Sequence, residues 1–338
     1  MARTNEQLPL HPPRRRSHGP VAPHPVAPVS AQDDPSFALR AGEPLADGLA
    51  RVAGAQIDET TRRLRRPDGG VSAKDVHEAR KSLKRLRALA RLLRPALGEA
   101  AYARENGALR DAARQLAGAR DAEVMVATLD ALSAADDETA ATHDDHPTLR
   151  AHLQAERDRA TAHLRADAGP ARQAAADLDQ VRERAGSWLP ADADWQSVEP
   201  GLRLIYREGR QRYRRARRRP TGEHLHEWRK RVKDLRYCTE LLCVLDPEAM
   251  SARSALADSL GETLGEEHDL GVLAAFVDAH PELFFTPAER KQLRKRVRRE
   301  RARLRRRALK LGDELFAPRP RRFTATLQPA AVASPEPQ

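Results

Sequence analysis

Aromatic residues are scarce in this chain, since Phe, Trp and Tyr together make up only 4% of its 338 residues. Proteins that bind single-stranded nucleic acid stack the bases on aromatic side chains, so this scarcity argues against that class. The chain also lacks a run of about 18 apolar residues, which a membrane-spanning helix needs, and the apolar segment of a signal peptide. We therefore expect a soluble, cytoplasmic protein with no membrane partner.

Cysteine and the usual parts of a catalytic site are equally sparse. The two cysteines, Cys238 and Cys243, are five residues apart on one predicted helix, where they are poorly placed for a disulfide; this fits a reducing compartment. The sequence has no glycine-rich phosphate loop, no clustered carboxylates suited to Mg²⁺ and no nucleophile with a nearby base. We expect a protein that is not an enzyme and has no cofactor.

Apolar residues recur at helical spacing, and strand-like alternation is absent, so the sequence predicts an all-α protein of roughly ten helices. Its 60 Lys and Arg residues exceed its 49 Asp and Glu residues, which gives a formal charge of +11. The sequence pI is near 10.2. Such a balance is typical of proteins that bind polyanions or are attracted to anionic surfaces.

One string, His-Glu-x-Arg-Lys-x-x-Lys-x-Leu-Arg, occurs twice, beginning at His77 and at His226. Seven matching residues at identical offsets indicate an internal repeat. Both copies lie in stretches of good helix formers, from about residue 71 to 94 and from about 223 to 245. At about 100° per residue, the basic residues share one face of each helix and leucines occupy the other. The basic positions are His77, Arg80, Lys81, Lys84, Arg87 and Arg91 in the first copy, and His226, Arg229, Lys230, Lys233 and Arg236 in the second.

A second shared segment follows each string: LAGARD ends at Asp121 and LGEEHD ends at Asp269. The copies of the two segments are separated by nearly the same distance, 149 and 148 residues. We interpret both aspartates chiefly as helix caps, and otherwise as groups that orient the basic side chains of the site. The repeat predicts two pseudo-symmetric antiparallel helical bundles that enclose a basic cavity. Their expected limits are 36–190 and 191–316, and the ends, 1–35 and 317–338, have too little apolar sequence to fold.

Two further helices are heavily basic. The first extends from about Arg203 to Arg219, and only some of its positions, such as Arg210 and Arg214, are expected to face inward. The second extends from about residue 287 to 316, where Arg298 and Arg305 are weaker candidates. Tyr237 lies about 20° from His226 on the helical projection, so its hydroxyl is a further candidate donor to an anion.

The doubled string, the downstream Leu-Gly-x-x-(Arg/His)-Asp segment and the basic helical composition resemble the CHAD family, the conserved histidine α-helical domain. The resemblance covers about residues 36 to 316. It implies two helical bundles around a basic cavity, binding of inorganic polyphosphate and association with polyphosphate granules and their proteins. The family motif maps onto His77, Arg80, Lys81, Lys84 and Arg87, and onto His226, Arg229, Lys230, Lys233 and Arg236. The copies of the second segment depart from each other: the first begins Leu-Ala-Gly where the second begins Leu-Gly-Glu, and Arg120 aligns with His268.

Three alternatives to a polyphosphate site stay open. Nucleic acid is the main rival partner, because a high pI and Arg-rich helices are common in its binders. The His-Glu-x-Arg string also resembles the start of a histidine phosphoacceptor box, although the proline and the nucleotide-binding domain that accompany such a box are missing. A metal site at His77 or His226 is disfavoured by the neighbouring cations, and we predict no metal.

Overall fold

The structure of the protein is a computed structural model, which describes residues 35–66, 70–116, 119–134, 146–325 and 327. These residues form twelve α-helices and three short 3₁₀ helices, and no strand occurs among them, which confirms the all-α class. The predicted disorder of residues 1–34 and 328–338 concerns parts of the chain outside the described residues. The helices are α1 Leu45–Leu64, α2 Ala73–Leu92, α3 Arg94–Leu97, α4 Glu99–Gln115, α5 Ala119–Ala134, α6 Pro147–Ala166, α7 Gly169–Ala185, α8 Trp195–Arg218, α9 Gly222–Leu241, α10 Pro247–Ala279, α11 Pro287–Leu315 and α12 Pro320–Ala325.

The two repeated strings lie on α2 and α9, each 20 residues long, and both helices begin at a hydroxyl side chain. Ser72 accepts a hydrogen bond from the backbone N–H of Asp75, whose carboxylate accepts one back from the backbone N–H of Ser72. Thr221 accepts a hydrogen bond from the backbone N–H of His224. Such caps satisfy N–H groups that have no partner within the helix, so they fix where α2 and α9 begin.

The main hydrophobic core joins both parts of the chain. Leucines and alanines of α1, α2, α4 and α7 pack in the same cluster as the buried faces of α8, α9 and the first part of α10. The apolar back of α9 contributes Trp228, Val232 and Leu235, all of which are buried, as the periodicity predicts. The backs of α2 and α9 therefore lie in one shared core, and their polar fronts are left for the surface.

A second, smaller core shows that the predicted boundary near residue 190 does not divide the packing. Helices α5 and α6, from the first predicted half, contribute Leu129 and Leu153 to this cluster. Helices α10 and α11, from the second half, contribute Leu273 and Val297 to the same cluster. The α5–α6 hairpin thus packs on the second half of the sequence, a tertiary pairing that helical periodicity alone does not specify.

Helix α8 contains Pro200 and Gly201, two residue types that commonly interrupt a helix, and both lie near its N-terminal end. Gly201 packs so closely on the preceding helices that an added Cβ would lie 1.7 Å from the carbonyl oxygen of Leu92. The expectation that residues 317–338 do not fold is wrong for the first part of this segment, which forms α12. Phe323 of α12 is fully buried and stacks on Tyr206, with ring centroids 4.2 Å apart. This aromatic contact helps to anchor the short segment on α8.

Candidate functional site

Helices α2 and α9 pack directly against each other. The buried guanidinium of Arg85 on α2 donates a hydrogen bond to the carboxylate of Glu240 on α9, at 2.6 Å. A carboxylate paired with a guanidinium fixes the relative position of two helices more specifically than apolar contact does. With their backs held in the core, the cationic fronts of the two helices meet along one open cleft.

This cleft has a volume of about 770 Å³. Helices α2 and α9 form two of its walls, and α4, α5 and α10 complete it. Its charged and histidine lining residues are Arg80, Lys84, Arg87, Arg91, Arg110, Arg114, His226, Glu227, Arg229, Lys230, Arg231, Lys233, Asp234, His268 and Asp269, and Asn106, Val124, Met125, Tyr237 and Val272 complete the lining.

The cleft has a large excess of positive charge. Ten of its described lining residues are Lys or Arg, whereas three are Asp or Glu. Like charges held this close repel one another, and a partly buried site screens that repulsion less than bulk water does. An anion bound in the cleft would offset the repulsion, so the arrangement favours a polyanionic ligand.

Eight of the eleven principal basic residues predicted from the repeat line this cleft: Arg80, Lys84, Arg87, Arg91, His226, Arg229, Lys230 and Lys233. His77 and Lys81 are half-buried but do not belong to its lining. Arg236 is also absent from the lining, because its guanidinium forms an ion pair with Asp258 of α10 at 2.6 Å. The helical projection alone did not reveal that neighbouring carboxylate.

Two arginines of α2 are held in place by single hydrogen bonds. Arg80 donates from Nη1 to the carbonyl oxygen of Leu116 at 3.1 Å. Arg87 donates from Nε to Oδ1 of Asn106 at 3.1 Å, and burial lowers the pKa of Arg87. A guanidinium has five N–H donors, so one such bond orients the group and leaves other donors for an anion.

At one end of the cleft two arginines share two carboxylates. Arg91 of α2 and Arg231 of α9 each form ion pairs with Glu208, at 3.3 and 3.1 Å, and with Asp234, at 3.2 Å in both cases. Burial raises the pKa of Asp234, and the nearby arginines oppose that effect. This cluster ties α2, α8 and α9 together, so Arg91 has a structural role beside its place in the cleft.

Lys233 occupies an unfavourable position for a cation in the cleft. Burial, followed by the charges of Arg229 and Lys84, lowers the pKa of Lys233 to about 7. The charge of Asp269 raises the pKa of Lys233, but by less than burial and the neighbouring cations lower it. Around neutral pH the ammonium group is therefore poised between its charged and neutral forms, and a bound anion would favour the charged form.

Two histidines of the cleft lie together where α9 and α10 meet. The rings of His226 on α9 and His268 on α10 have centroids 4.7 Å apart. Burial lowers the pKa of both groups, with Lys230 adding to the effect at His226 and Arg229 at His268. Both rings therefore favour the neutral form in the free protein, and a bound polyanion would reverse the balance.

The predicted capping role of Asp269 is wrong. It lies well inside α10, an uninterrupted helix of 33 residues, so it cannot cap an N-terminus there. Asp269 lines the cleft and acts electrostatically on Lys233, which is the alternative role considered for it. The side chain of Asp121 lies outside the described residues. Tyr237 does line the cleft, and burial raises the pKa of its hydroxyl.

The weaker candidates on α8 and α11 do not belong to this cleft. Arg210 donates from Nε to the carbonyl oxygen of Phe316 at 3.0 Å and lines a different pocket. Arg305 forms an ion pair with the buried carboxylate of Glu267 at 2.8 Å. Arg214 and Arg298 are exposed, and neither lines the cleft. The number of Lys and Arg residues in a sequence segment therefore did not indicate which face of the helix lines the cleft.

Three cleft residues on α4 were missed by the sequence analysis. Asn106, Arg110 and Arg114 are spaced four residues apart, so they lie on one face of the helix. That spacing was visible in the sequence. Because α4 carries no copy of the repeated string, nothing marked this face as part of the site.

In the described part of the chain, no group of three or more His, Cys, Asp or Glu side chains is placed to hold a metal ion. No described helix is both long enough and apolar enough to cross a bilayer. The positive excess of the cleft favours an anion over a metal cation as a ligand.

The described residues form an all-α fold with a basic cleft, and comparison with known proteins gives the family. The family model for the CHAD domain matches residues 51–278, so the chain belongs to the CHAD domain family. A crystal structure of the CHAD domain from the plant Ricinus communis has a similar fold, with a TM-score of 0.55 and 19% sequence identity. That similarity covers 86% of this chain and 96% of the plant chain. No curated protein sequence matches the chain.

Proposed function

We propose that this protein binds inorganic polyphosphate in the cleft between α2 and α9. The observation that carries the proposal is the convergence of both repeated strings on one cleft, where ten Lys and Arg residues surround three carboxylates. The resemblance of the strings to the CHAD family implies the same ligand, and the family match supports that resemblance. The function we infer is binding without chemical conversion.

The residue types suit a chain of phosphoryl groups. Arg80, Arg87 and Arg229 carry planar guanidinium groups that hold two phosphate oxygens at once, whereas Lys84 and Lys233 neutralise charge with less directional preference. Each such charge-assisted hydrogen bond makes a net contribution of about 1.5 to 3 kcal/mol. Several of them along one strip would hold a linear polyanion, and added salt would weaken its binding steeply by counterion release.

Nucleic acid is the second candidate, and the lining of the cleft disfavours it. Tyr237 is the one Phe, Tyr or Trp residue among the described lining residues, and it is 5% exposed, so it offers little surface on which a base can stack. Duplex binders present their cations on an outer face that reaches a groove. Here the cations line a recess, which suits a thin chain of phosphates better than a duplex.

The charge-reversed variant Lys84→Glu plus Lys233→Glu tests the site, because the two lysines come from different repeated helices of one cleft. The matched control is Lys291→Glu plus Lys295→Glu, which makes the same change of net charge on the exposed face of α11. We expect the cleft variant to lose at least about a hundredfold in polyphosphate affinity, since two charge-assisted contacts become repulsive. The control should lose little.

Circular dichroism must show that both variants stay helical. Equal affinities of the cleft variant and the control for long-chain polyphosphate would remove the basis for this site. Incubation of the protein with polyphosphate and Mg²⁺ tests the inference that it is not an enzyme, and we expect no release of orthophosphate. A fluorescent fusion should accumulate at polyphosphate granules in cells that form them, and the cleft variant of that fusion should remain dispersed.

A further inference from the structure

A second basic pocket lies outside the polyphosphate cleft, between α8 and α12. Its volume is about 610 Å³, within the range of small-molecule sites. Five of its eight described lining residues are arginines, and none is acidic. The lining residues are Pro200, Arg203, Leu204, Arg207, Arg210, Arg319, Pro320 and Arg321.

The pocket is built from residues that the fold holds in place. Residues 200, 203, 204, 207 and 210 follow one another at helical spacing, so they share one face of α8. The short helix α12 is fixed on α8, because Phe323 stacks on Tyr206 and Thr324 donates a hydrogen bond to Glu199 at 2.5 Å. The hydroxyl of Tyr206 also donates to the carbonyl oxygen of Pro318 at 3.1 Å. The two arginine-bearing segments are thereby held facing each other.

Internal carboxylates balance only part of this charge. Glu199 forms an ion pair with Arg203 at 3.4 Å, but it also accepts the hydrogen bond from Thr324 and does not line the pocket. Arg210 is oriented by its bond to the carbonyl oxygen of Phe316, which is uncharged. Five guanidinium groups around one small pocket repel one another unless an anion is present, and α12 keeps Arg319 and Arg321 next to them.

We propose that this pocket binds a small ligand with adjoining phosphoryl groups, independently of the polyphosphate cleft. Phosphoryl groups concentrate more negative charge in a small volume than carboxylates do, and their oxygens match the fork of a guanidinium. The apolar surfaces of Pro200, Leu204 and Pro320 exclude water from one side of the pocket and strengthen these contacts.

Calorimetric titration with inorganic tripolyphosphate tests the pocket, in the full-length protein and in the variant Arg207→Glu plus Arg321→Glu. Both side chains are exposed, and the contacts described above that hold α12 do not involve them. The matched control is Arg214→Glu plus Arg218→Glu, two exposed positions of α8 that line neither the pocket nor the cleft. We expect the pocket variant to bind one equivalent fewer than the wild type, and the control to bind as many as the wild type.

The same titration in the background Lys84→Glu plus Lys233→Glu separates this proposal from the proposed function. One equivalent should survive in that background and disappear when Arg207→Glu and Arg321→Glu are added. The proposal is overturned if the pocket variant and its control bind the same number of equivalents. It is equally overturned if citrate, which carries carboxylates alone, binds the pocket as tightly as tripolyphosphate does.

The phosphoryl groups that this pocket binds could come from a second source. That source is the end of a long polyphosphate chain whose other part is held in the cleft. If the pocket receives such ends, the pocket variant will bind long chains at least about threefold more weakly than its control. If it receives only free small ligands, the two variants will bind long chains equally while they still differ in tripolyphosphate stoichiometry. Either result supports the pocket and identifies the source of its ligand.

Discussion

Arg91 Nε lies 3.2 Å from the carboxylate of Asp234, so an arginine of the first repeated helix is paired with an aspartate of the second. Both side chains are largely buried, with 14% and 16% of their surface exposed. Asp234 also pairs with Arg231, again at 3.2 Å. This carboxylate therefore offsets two cations at the end of the cleft where α2 and α9 meet.

The variant Asp234→Asn should destabilise the ligand-free protein by about 3 kcal/mol, because it leaves two partly buried arginines with Glu208 as their remaining partner. A bound polyanion would compensate, so polyphosphate should raise the melting temperature of the variant more than that of the wild type. Thermal unfolding with and without polyphosphate measures both effects. An equal rise in the two proteins would show that the arginines do not contribute to the ligand site.

Lys233→Met should make the ligand-free protein more stable at neutral and acidic pH. The folded-state pKa of Lys233 is about 7 against a reference value of 10.5, so in the folded protein its charge is unfavourable. Below about pH 7 Lys233 is charged in both states, so its buried charge lowers the free energy of unfolding by the full amount. Between about pH 7 and 10.5 the unfolded chain binds more protons than the folded protein, so the stability of the wild type rises with pH. The gain from Lys233→Met should therefore shrink as pH rises, which denaturant unfolding at several pH values can follow.

The same substitution should weaken polyphosphate binding, since a favourable contact is lost together with the unfavourable charge. Many binding sites trade stability for function in this way. Lys295→Met, at an exposed position of α11, is the control and should change neither property appreciably. If Lys233→Met left polyphosphate affinity at the wild-type value, Lys233 would be a buried structural lysine and not a ligand contact.

Polyphosphate binding should be coupled to proton uptake. Lys233, His226 and His268 all have lowered pKa values in the free cleft, and a bound anion would raise them. Above about pH 7 the uptake comes mainly from Lys233, and at lower pH the histidines contribute as well. Affinity should therefore increase as pH falls. Calorimetry in buffers of different ionisation enthalpy counts the protons, and Lys233→Gln should abolish the uptake above about pH 7.

Much of this arrangement follows from the sequence. The limits of α2 and α9 were predicted within four residues, and eight basic side chains assigned to their fronts lie in the cleft. A helical projection reports only which residues share a face. It gave no indication that Asp258 of α10 would pair with Arg236, or that the second LGEEHD-type segment would continue within α10, because both depend on tertiary packing.

The basic face of α4 lies in the cleft although the sequence did not mark it as part of the site. Asn106, Arg110 and Arg114 share this face at four-residue spacing. Helices α8 and α11 are richer in arginine, but their predicted site residues lie outside the cleft.

Arg110→Ala plus Arg114→Ala should weaken polyphosphate binding by about tenfold, which corresponds to about 1.4 kcal/mol. The control Arg214→Ala plus Arg298→Ala removes two exposed arginines outside the cleft and should have a much smaller effect.

Gly201 should be indispensable for the packing of α8 on α2 and α3. A Cβ there would lie 1.7 Å from the carbonyl oxygen of Leu92, so Gly201→Ala requires the backbone to shift and should lower the melting temperature strongly. In Gly107→Ala the added Cβ meets nothing within 4 Å, and alanine in a helix interior should stabilise by about 1 kcal/mol. Similar melting temperatures for the two variants would contradict the packing described for α8.

Competition between long-chain polyphosphate and DNA tests the central claim most directly. Labelled polyphosphate is bound to the wild-type protein at fixed salt, and unlabelled polyphosphate, single-stranded DNA or duplex DNA is added at equal phosphate concentration. We predict that unlabelled polyphosphate displaces the label at concentrations at least about tenfold lower than either DNA, because the cleft offers many phosphate contacts and little aromatic surface for base stacking. Displacement by either DNA at the same phosphate concentration would contradict a cleft selective for polyphosphate.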